Sequence, residues 1–204
     1  NGARFCIVSK KPKNRIKFVS VKNTMSFLNQ FARISRAYSS SKFIAITGSS
    51  GKTTVKTMIG NLLKNYSTTY FSPNSYNNHY GVPLSMCNMS LYDDFGVFEV
   101  GMSKFNEINK LSALVKPHVA AITNVSEAHL ENFRSIKDIA KAKSEIIYNI
   151  ENGGTVILNR DDKFFNYFKK IAKKNNVLIK TFGYSKKSNS KFVSLNENKN
   201  GFLL

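Results

Sequence analysis

Five residues stand where phosphoryl chemistry would need them: Lys52, Thr53, Glu99, His129 and Lys143. Lys52 and Thr53 belong to the run Gly48-Ser49-Ser50-Gly51-Lys52-Thr53-Thr54, which follows an apolar, β-branched stretch at 43–47 and precedes a helical pattern. Strand, glycine loop, Lys-Thr and helix in that order predict a phosphate cradle. Glycines bring backbone N–H groups up to phosphate oxygens with no Cβ in the way. Lys52 reaches the outer phosphates as a point charge, and the Thr53 hydroxyl is a ligand for Mg2+. The general pattern asks for a glycine five residues before Gly51, where Ile46 stands, so this is a shortened variant with glycines at 48 and 51. The alternative is an ordinary glycine turn that caps a helix.

Glu99 lies near the end of a very apolar strand, 95–100. A carboxylate at the C-terminal end of a strand, in a sheet that also carries a phosphate loop, is placed to hold Mg2+; the other reading is an edge-strand carboxylate turned to solvent. His129 follows a strand at 118–124 and falls on the same sheet edge, as a metal or active-site residue or as a surface histidine. Lys143 shares a helical stripe with Ile136, Ile139, Ala140 and Ile147, while Lys137 and Lys141 lie off it. Its stem either snorkels to the surface or stays buried with a depressed pKa. A neutral amine can take up CO2 as a carbamate, an anionic oxygen ligand for a second metal ion. The polar run Ser75-Tyr76-Asn77-Asn78-His79-Tyr80-Gly81-Val82-Pro83 is a loop, either plain surface or the lining of a substrate cleft.

These residues need a scaffold, and from residue 43 onward strands and helices alternate. That predicts an α/β domain with a mostly parallel sheet covered by helices on both faces. The helix after the glycine loop carries Val55, Met58, Ile59, Leu62 and Leu63 as a core stripe. Further helices are expected over 106–115, 136–150 and 163–173, strands over 155–158 and 177–182, and a final hairpin between 191–195 and 201–204. Residues 1–41 read differently, with short strands near 5–8 and 16–19, a helix that Thr24 could cap, and Ser39-Ser40-Ser41 as a linker. The chain therefore divides into 1–41, of different pattern, and 42–204, the nucleotide-binding domain.

Thirty-one basic against twelve acidic residues give a net charge of +19. The lysines are spread along the chain rather than gathered in one arginine-rich stripe. A lysine-rich solvated surface is favoured over a nucleic-acid-binding face, and a basic surface also attracts anionic nucleotides. No run of 18 apolar residues and no secretory signal is visible, so no membrane insertion is expected. Cys6 and Cys87 fit reduced thiols in a cytosol. A chain that starts at Asn1 rather than Met suggests a fragment.

Six pieces follow one another in order: Thr47-Gly48-Ser49-Ser50-Gly51-Lys52-Thr53-Thr54; Asn77-Asn78-His79-Tyr80-Gly81-Val82-Pro83; Glu99-Val100-Gly101-Met102; Ile122-Thr123-Asn124-Val125 with Glu127-Ala128-His129-Leu130-Glu131; Ala142-Lys143-Ser144-Glu145-Ile146; and Leu158-Asn159-Arg160-Asp161-Asp162. On these the chain resembles the Mur ligases, the ATP-dependent amide-forming enzymes of peptidoglycan synthesis. The Asn-Asn-x-x-Gly-Val-Pro and Glu-Ala-His-Leu-Glu forms are most similar to the branch that adds D-alanyl-D-alanine to UDP-N-acetylmuramoyl-tripeptide.

The resemblance implies a site. Gly48, Ser49, Ser50, Gly51, Lys52, Thr53 and Thr54 bind ATP, with Asn159 and Asp162 toward the nucleoside. Thr53 and Glu99 hold a first Mg2+, His129 and a carbamylated Lys143 a second, and Asn78 lies near the UDP-sugar-peptide. Lys52, His129 and Lys143 are the catalytic set. The implied reaction runs through an acyl phosphate, in a bacterial cytoplasm and from a monomer. The shortened glycine loop is then a family trait. The family has three domains, and the resemblance implies that 1–41 are the tail of the first, a small α+β domain that binds the UDP-substrate, with its linker, and 42–204 the central ATP-binding domain, incomplete at its C-terminus. The isolated chain is then expected to bind ATP weakly and not to complete ligation. Another Mur-type ligase, a folylpolyglutamate synthase and a basic nucleotide-dependent nucleic-acid-binding module are the alternatives.

Overall fold

In the computed structural model, residues 3–13, 16–127, 132–194, 196–198 and 201–203 are described. A parallel pair, β1 (Cys6–Val8) and β2 (Phe18–Ser20), precedes helix α1 (Thr24–Tyr38). Then come β3 (Lys42–Thr47), α2 (Lys52–Lys64), β4 (Thr69–Phe71), α3 (Gly81–Asn88), β5 (Phe95–Glu99), α4 (Glu107–Val115), β6 (Val119–Ile122) and α5 (Ile136–Ser144). A 3-10 turn at Glu145–Asn149 leads to β7 (Thr155–Asn159), α6 (Phe165–Lys174), β8 (Leu178–Gly183) and β9 (Ser190–Lys191). The last elements are β10 (Asn196–Asn198) and β11 (Gly201–Leu203).

The expected α/β architecture is present. Seven parallel strands lie in the order β4-β5-β3-β6-β7-β8-β9. The chain lays β4 and β5 on one side of β3 and β6 to β9 on the other, and the crevice beyond the C-terminal ends of strands at such a switch point is where α/β sheets bind ligands. Alternation along the strands splits the core cleanly. Ile46, Val97 and Ala121 pack with Val55, Ile59 and Leu63 of α2 on one face. Phe43, Ala45, Phe98, Ala120, Ile122, Val156 and Leu158 point the other way, into the larger cluster formed with α1, α3, α4, α5 and α6.

Several local expectations need correction. Asn23, not Thr24, caps α1: its Oδ1 accepts from the Ser26 N–H at 2.8 Å. Of the linker serines, Ser40 is exposed, but Ser41 is buried and its hydroxyl donates to the Asp93 carbonyl. In α2 the stripe is rotated from the one expected. Met58 and Leu62 are exposed, at 58% and 61%, while Lys56 and Gly60 face the sheet. The reason is at Gly60, where a Cβ would lie 2.3 Å from the Phe71 ring, so the bare glycine lets α2 settle on β4. The loop expected over 75–83 gives way to α3 at Gly81, with Pro83 in the first turn, where a missing N–H costs nothing. The helix expected over 136–150 tightens to 3-10 after Ser144. Of the final hairpin, 201–203 pairs as expected, but with 196–198, while Ser190–Lys191 joins the large sheet.

Candidate active site

The turn from β3 into α2 is built by two glycines. Gly51 is left-handed at φ 76°, and Gly48, at φ 154°, packs so tightly that a Cβ would fall 1.8 Å from Thr123 Oγ1. The loop is laced to the segment after β6. Thr123 donates to the Ser50 carbonyl at 2.7 Å, and Asn124 Oδ1 accepts from the Ser50 N–H at 3.1 Å. The Asn124 carbonyl takes the Ser49 N–H at 3.0 Å, while Ser49 and Ser126 exchange two bonds at 3.0 Å each. The N–H groups of Lys52, Thr53 and Thr54 open the first turn of α2, where no earlier helical carbonyl can take them. Such amides, with the positive end of the helix dipole, suit an anion. Lys52 folds back over the loop, its Nζ 2.9 Å from the Gly48 carbonyl and 3.4 Å from that of Ser49. Burial pulls its pKa down, and Glu99 opposes that.

Glu99 ends β5 between β4 and β3, only 1% exposed, so the solvent-facing reading of this carboxylate does not hold. Its Oε2 accepts from Thr53 Oγ1 at 2.7 Å and its Oε1 from Asn77 Nδ2 at 2.7 Å. A buried carboxylate is tolerable only when its oxygens are so engaged. Thr53 and Glu99 thus present two hard oxygen donors side by side at the first turn of α2. That donor set suits Mg2+, which takes one or two protein oxygens and completes its shell with phosphate and water. Among the described residues no group of three or more His, Cys, Asp or Glu side chains gathers into a metal cluster.

Beside the loop opens a cavity of about 340 Å3, lined by Gly48, Lys52, Asn77, Asn78, His79, Met102, Glu107, Lys110 and Lys143 among others. Lys143 is 2% exposed, on the buried stripe with Ile139, Ala140 and Ile147, while Lys137 and Lys141 are exposed. Burial, and next to it the charge of Lys52, brings its pKa down to about 7. Asn78 lines the cavity and also opens α3, its Oδ1 accepting from the Tyr80 and Gly81 N–H groups.

Asn159 and Asp162 lie off this cavity. Asn159 Oδ1 accepts from the Asp161 N–H, and Asp162 holds the Val125 and Phe164 N–H groups at 2.8 and 2.7 Å. Asp162 therefore meets the phosphate loop indirectly, through Val125 and the neighbouring Ser126. His129 lies outside the described residues. His118 is structural, its Nδ1 accepting from the Phe43 N–H at 3.0 Å.

Sequence reasoning missed two residues here. Asn77 holds Glu99, but an Asn-rich run does not say which asparagine turns inward. Lys56, buried one turn beyond Thr53, left no signal, because helical spacing alone does not turn a lysine toward the sheet.

The family description "Mur ligase middle domain" matches residues 46–204. A UDP-N-acetylmuramoyl-tripeptide--D-alanyl-D-alanine ligase of Rickettsia prowazekii is 36% identical over 195 residues, 94% of this chain and 43% of its own length. The solved structure of the MurF ligase from Thermotoga maritima in complex with ADP superposes with a TM-score of 0.84 at 29% identity, covering 99% of this chain and 46% of that one. A folylpolyglutamate synthase from Mycobacterium tuberculosis, at 15% identity and a TM-score of 0.67, covers 88% of this chain and 52% of its own, and shares the fold alone. The chain thus spans less than half the length of the first two.

Proposed function

The chain belongs to the Mur ligase family, and from that premise we propose that it carries the ATP-binding centre of an enzyme that adds D-alanyl-D-alanine to UDP-N-acetylmuramoyl-tripeptide. The observation that carries the reading is Glu99, buried at the end of β5 and bonded to Thr53 in the first turn of the phosphate-loop helix. The names of relatives at this identity support the acceptor, and the cavity that opens beside the loop supports a substrate there. The ADP of the Thermotoga maritima relative supports nucleotide at the loop.

In this reading Lys52 and the first-turn amides of α2 bind the phosphates of ATP. The peptide carboxylate attacks the γ-phosphorus, ADP leaves, and an acyl phosphate forms. The amine of D-alanyl-D-alanine then adds to the acyl carbon, loses a proton, and expels phosphate as the amide forms. Thr53 and Glu99 would hold Mg2+, which when bound spreads the charge of the transferring phosphoryl group. Asn77 keeps one Glu99 oxygen turned to its place. Lys143, with a pKa of about 7, has a large neutral fraction at neutral pH. Its amine and CO2 give a carbamate and a proton, and the carbamate with His129 would hold a second Mg2+. Asn78 stands on the peptide side of the cavity, and Asn159 and Asp162 toward the nucleoside. Residues 1–41 as the end of a UDP-substrate domain, 42–204 as the ATP-binding domain, a monomer and a cytoplasmic setting belong to the same proposal. Among the described residues no helix is long and apolar enough to cross a membrane.

The test is the full-length gene product with ATP, Mg2+, UDP-N-acetylmuramoyl-tripeptide and D-alanyl-D-alanine. One phosphate released per amide formed, dependent on the dipeptide, is the expected result. Turnover with a single amino acid or a folate in its place, and none with the dipeptide, would assign another member of the fold.

A further inference from the structure

Lys56 takes no part in the chemistry above, yet it is 1% exposed, on the face of α2 that packs against the sheet. Taking an ammonium out of water costs several kcal/mol, and a methionine of similar length would suit a packed helix face better. The Lys56 ammonium donates to the Asn74 carbonyl. Asn74 holds a left-handed backbone, φ 44°, a conformation that asparagine tolerates better than most side chains, and this turns its carbonyl to the Lys56 ammonium. Three residues on, Asn77 donates to Glu99, and its carbonyl accepts from the Gly101 N–H at 2.8 Å. Thr53, one turn before Lys56, donates to the other Glu99 oxygen. The bonds close a ring: Thr53 and Lys56 on the helix, Asn74 and Asn77 on the loop, Glu99 on β5.

We propose that Lys56 is a positioning residue: it clamps the loop at 72–80 onto the phosphate-loop helix and, through Asn77, fixes the Glu99 carboxylate for Mg2+. Loading of nucleotide and metal is thereby tied to the loop that lines the peptide side of the cavity. The inference rests on Glu99 as a metal ligand, and it adds a residue that touches neither metal nor substrate.

The test is Lys56→Met, read by amide hydrogen exchange without nucleotide and by Mg2+ titration of ADP binding. The Gly101 N–H should exchange about tenfold faster or more, with β6 and β7 keeping their protection. The Mg2+ enhancement of ADP binding should fall roughly 10- to 100-fold, with metal-free ADP affinity unchanged. Asn77→Leu breaks the other end of the clamp and leaves Lys56 alone, and it should give the same two effects. Unchanged Gly101 exchange in Lys56→Met overturns the proposal, whether or not ADP binds. So does loss of protection throughout the sheet, which would make Lys56 a plain structural residue. A wild-type protein that binds no ADP defeats the nucleotide reading instead, and the exchange result still decides the clamp.

Discussion

Lys143 combines near-complete burial with a second lysine on the same cavity, and both push its proton off. It titrates near pH 7 in the folded protein and near 10.5 in the unfolded chain. Below about 7 it is charged in both states, and the fold bears the whole cost of burying it. Between 7 and 10.5 the unfolded chain binds the extra proton, so stability rises with pH across that window. Lys143→Met therefore raises the melting temperature most at pH 6, and the gain shrinks toward pH 10 in a pH series of thermal unfolding. A gain independent of pH would mean that Lys143 does not release its proton across that window. Glu99→Gln keeps the shape of the side chain and removes its charge. The variant should lose Mg2+-dependent ADP binding by more than the roughly tenfold that loss of a supporting hydrogen bond costs, as isothermal titration would show.

At the scale of elements, the site depends on how closely α2 lies on the sheet. Gly60 sets that distance against Phe71. Gly60→Ala gains helix propensity but forces a methyl into the ring, and should cost about 1–3 kcal/mol in chemical denaturation. Phe71→Leu in the same chain should recover part of the loss, and an additive double mutant would refute the close-approach account. This packing was illegible in the sequence. The stripe Val55, Met58, Ile59, Leu62 and Leu63 obeys helical spacing, but spacing only says that one face is apolar. A glycine opposite a phenylalanine 11 residues away turned the helix so that Met58 and Leu62 look outward and Lys56 inward. The stripe of α5, by contrast, was legible through Lys143, because its apolar face meets the core without such a rotation.

Across the whole molecule, α1 is joined to the end of α4 by Arg36. Its Nε donates to the Val115 carbonyl at 2.8 Å, and Nη2 to the Lys116 carbonyl at 2.9 Å and to Glu151 at 3.0 Å. The guanidinium also lies over the Phe43 ring, 4.3 Å from its centroid. Burial pulls the Arg36 pKa down and Glu151 opposes that. Arg36→Met leaves two helix-end carbonyls without their donor and should cost about 2–4 kcal/mol in denaturant unfolding. ADP affinity should hold, since Arg36 stands at the end of the sheet opposite the phosphate loop. The sequence by itself determined the parallel α/β order, the glycine loop and the strand-end position of Glu99, because each is written in local periodicity and residue type. Only the tertiary structure decided that Asn77 meets Glu99, that Lys56 is buried, and that Lys52 and Lys143 share a cavity. Those contacts join residues 18 to 91 positions apart, and which side chains meet across such distances is fixed by how helices pack on the sheet.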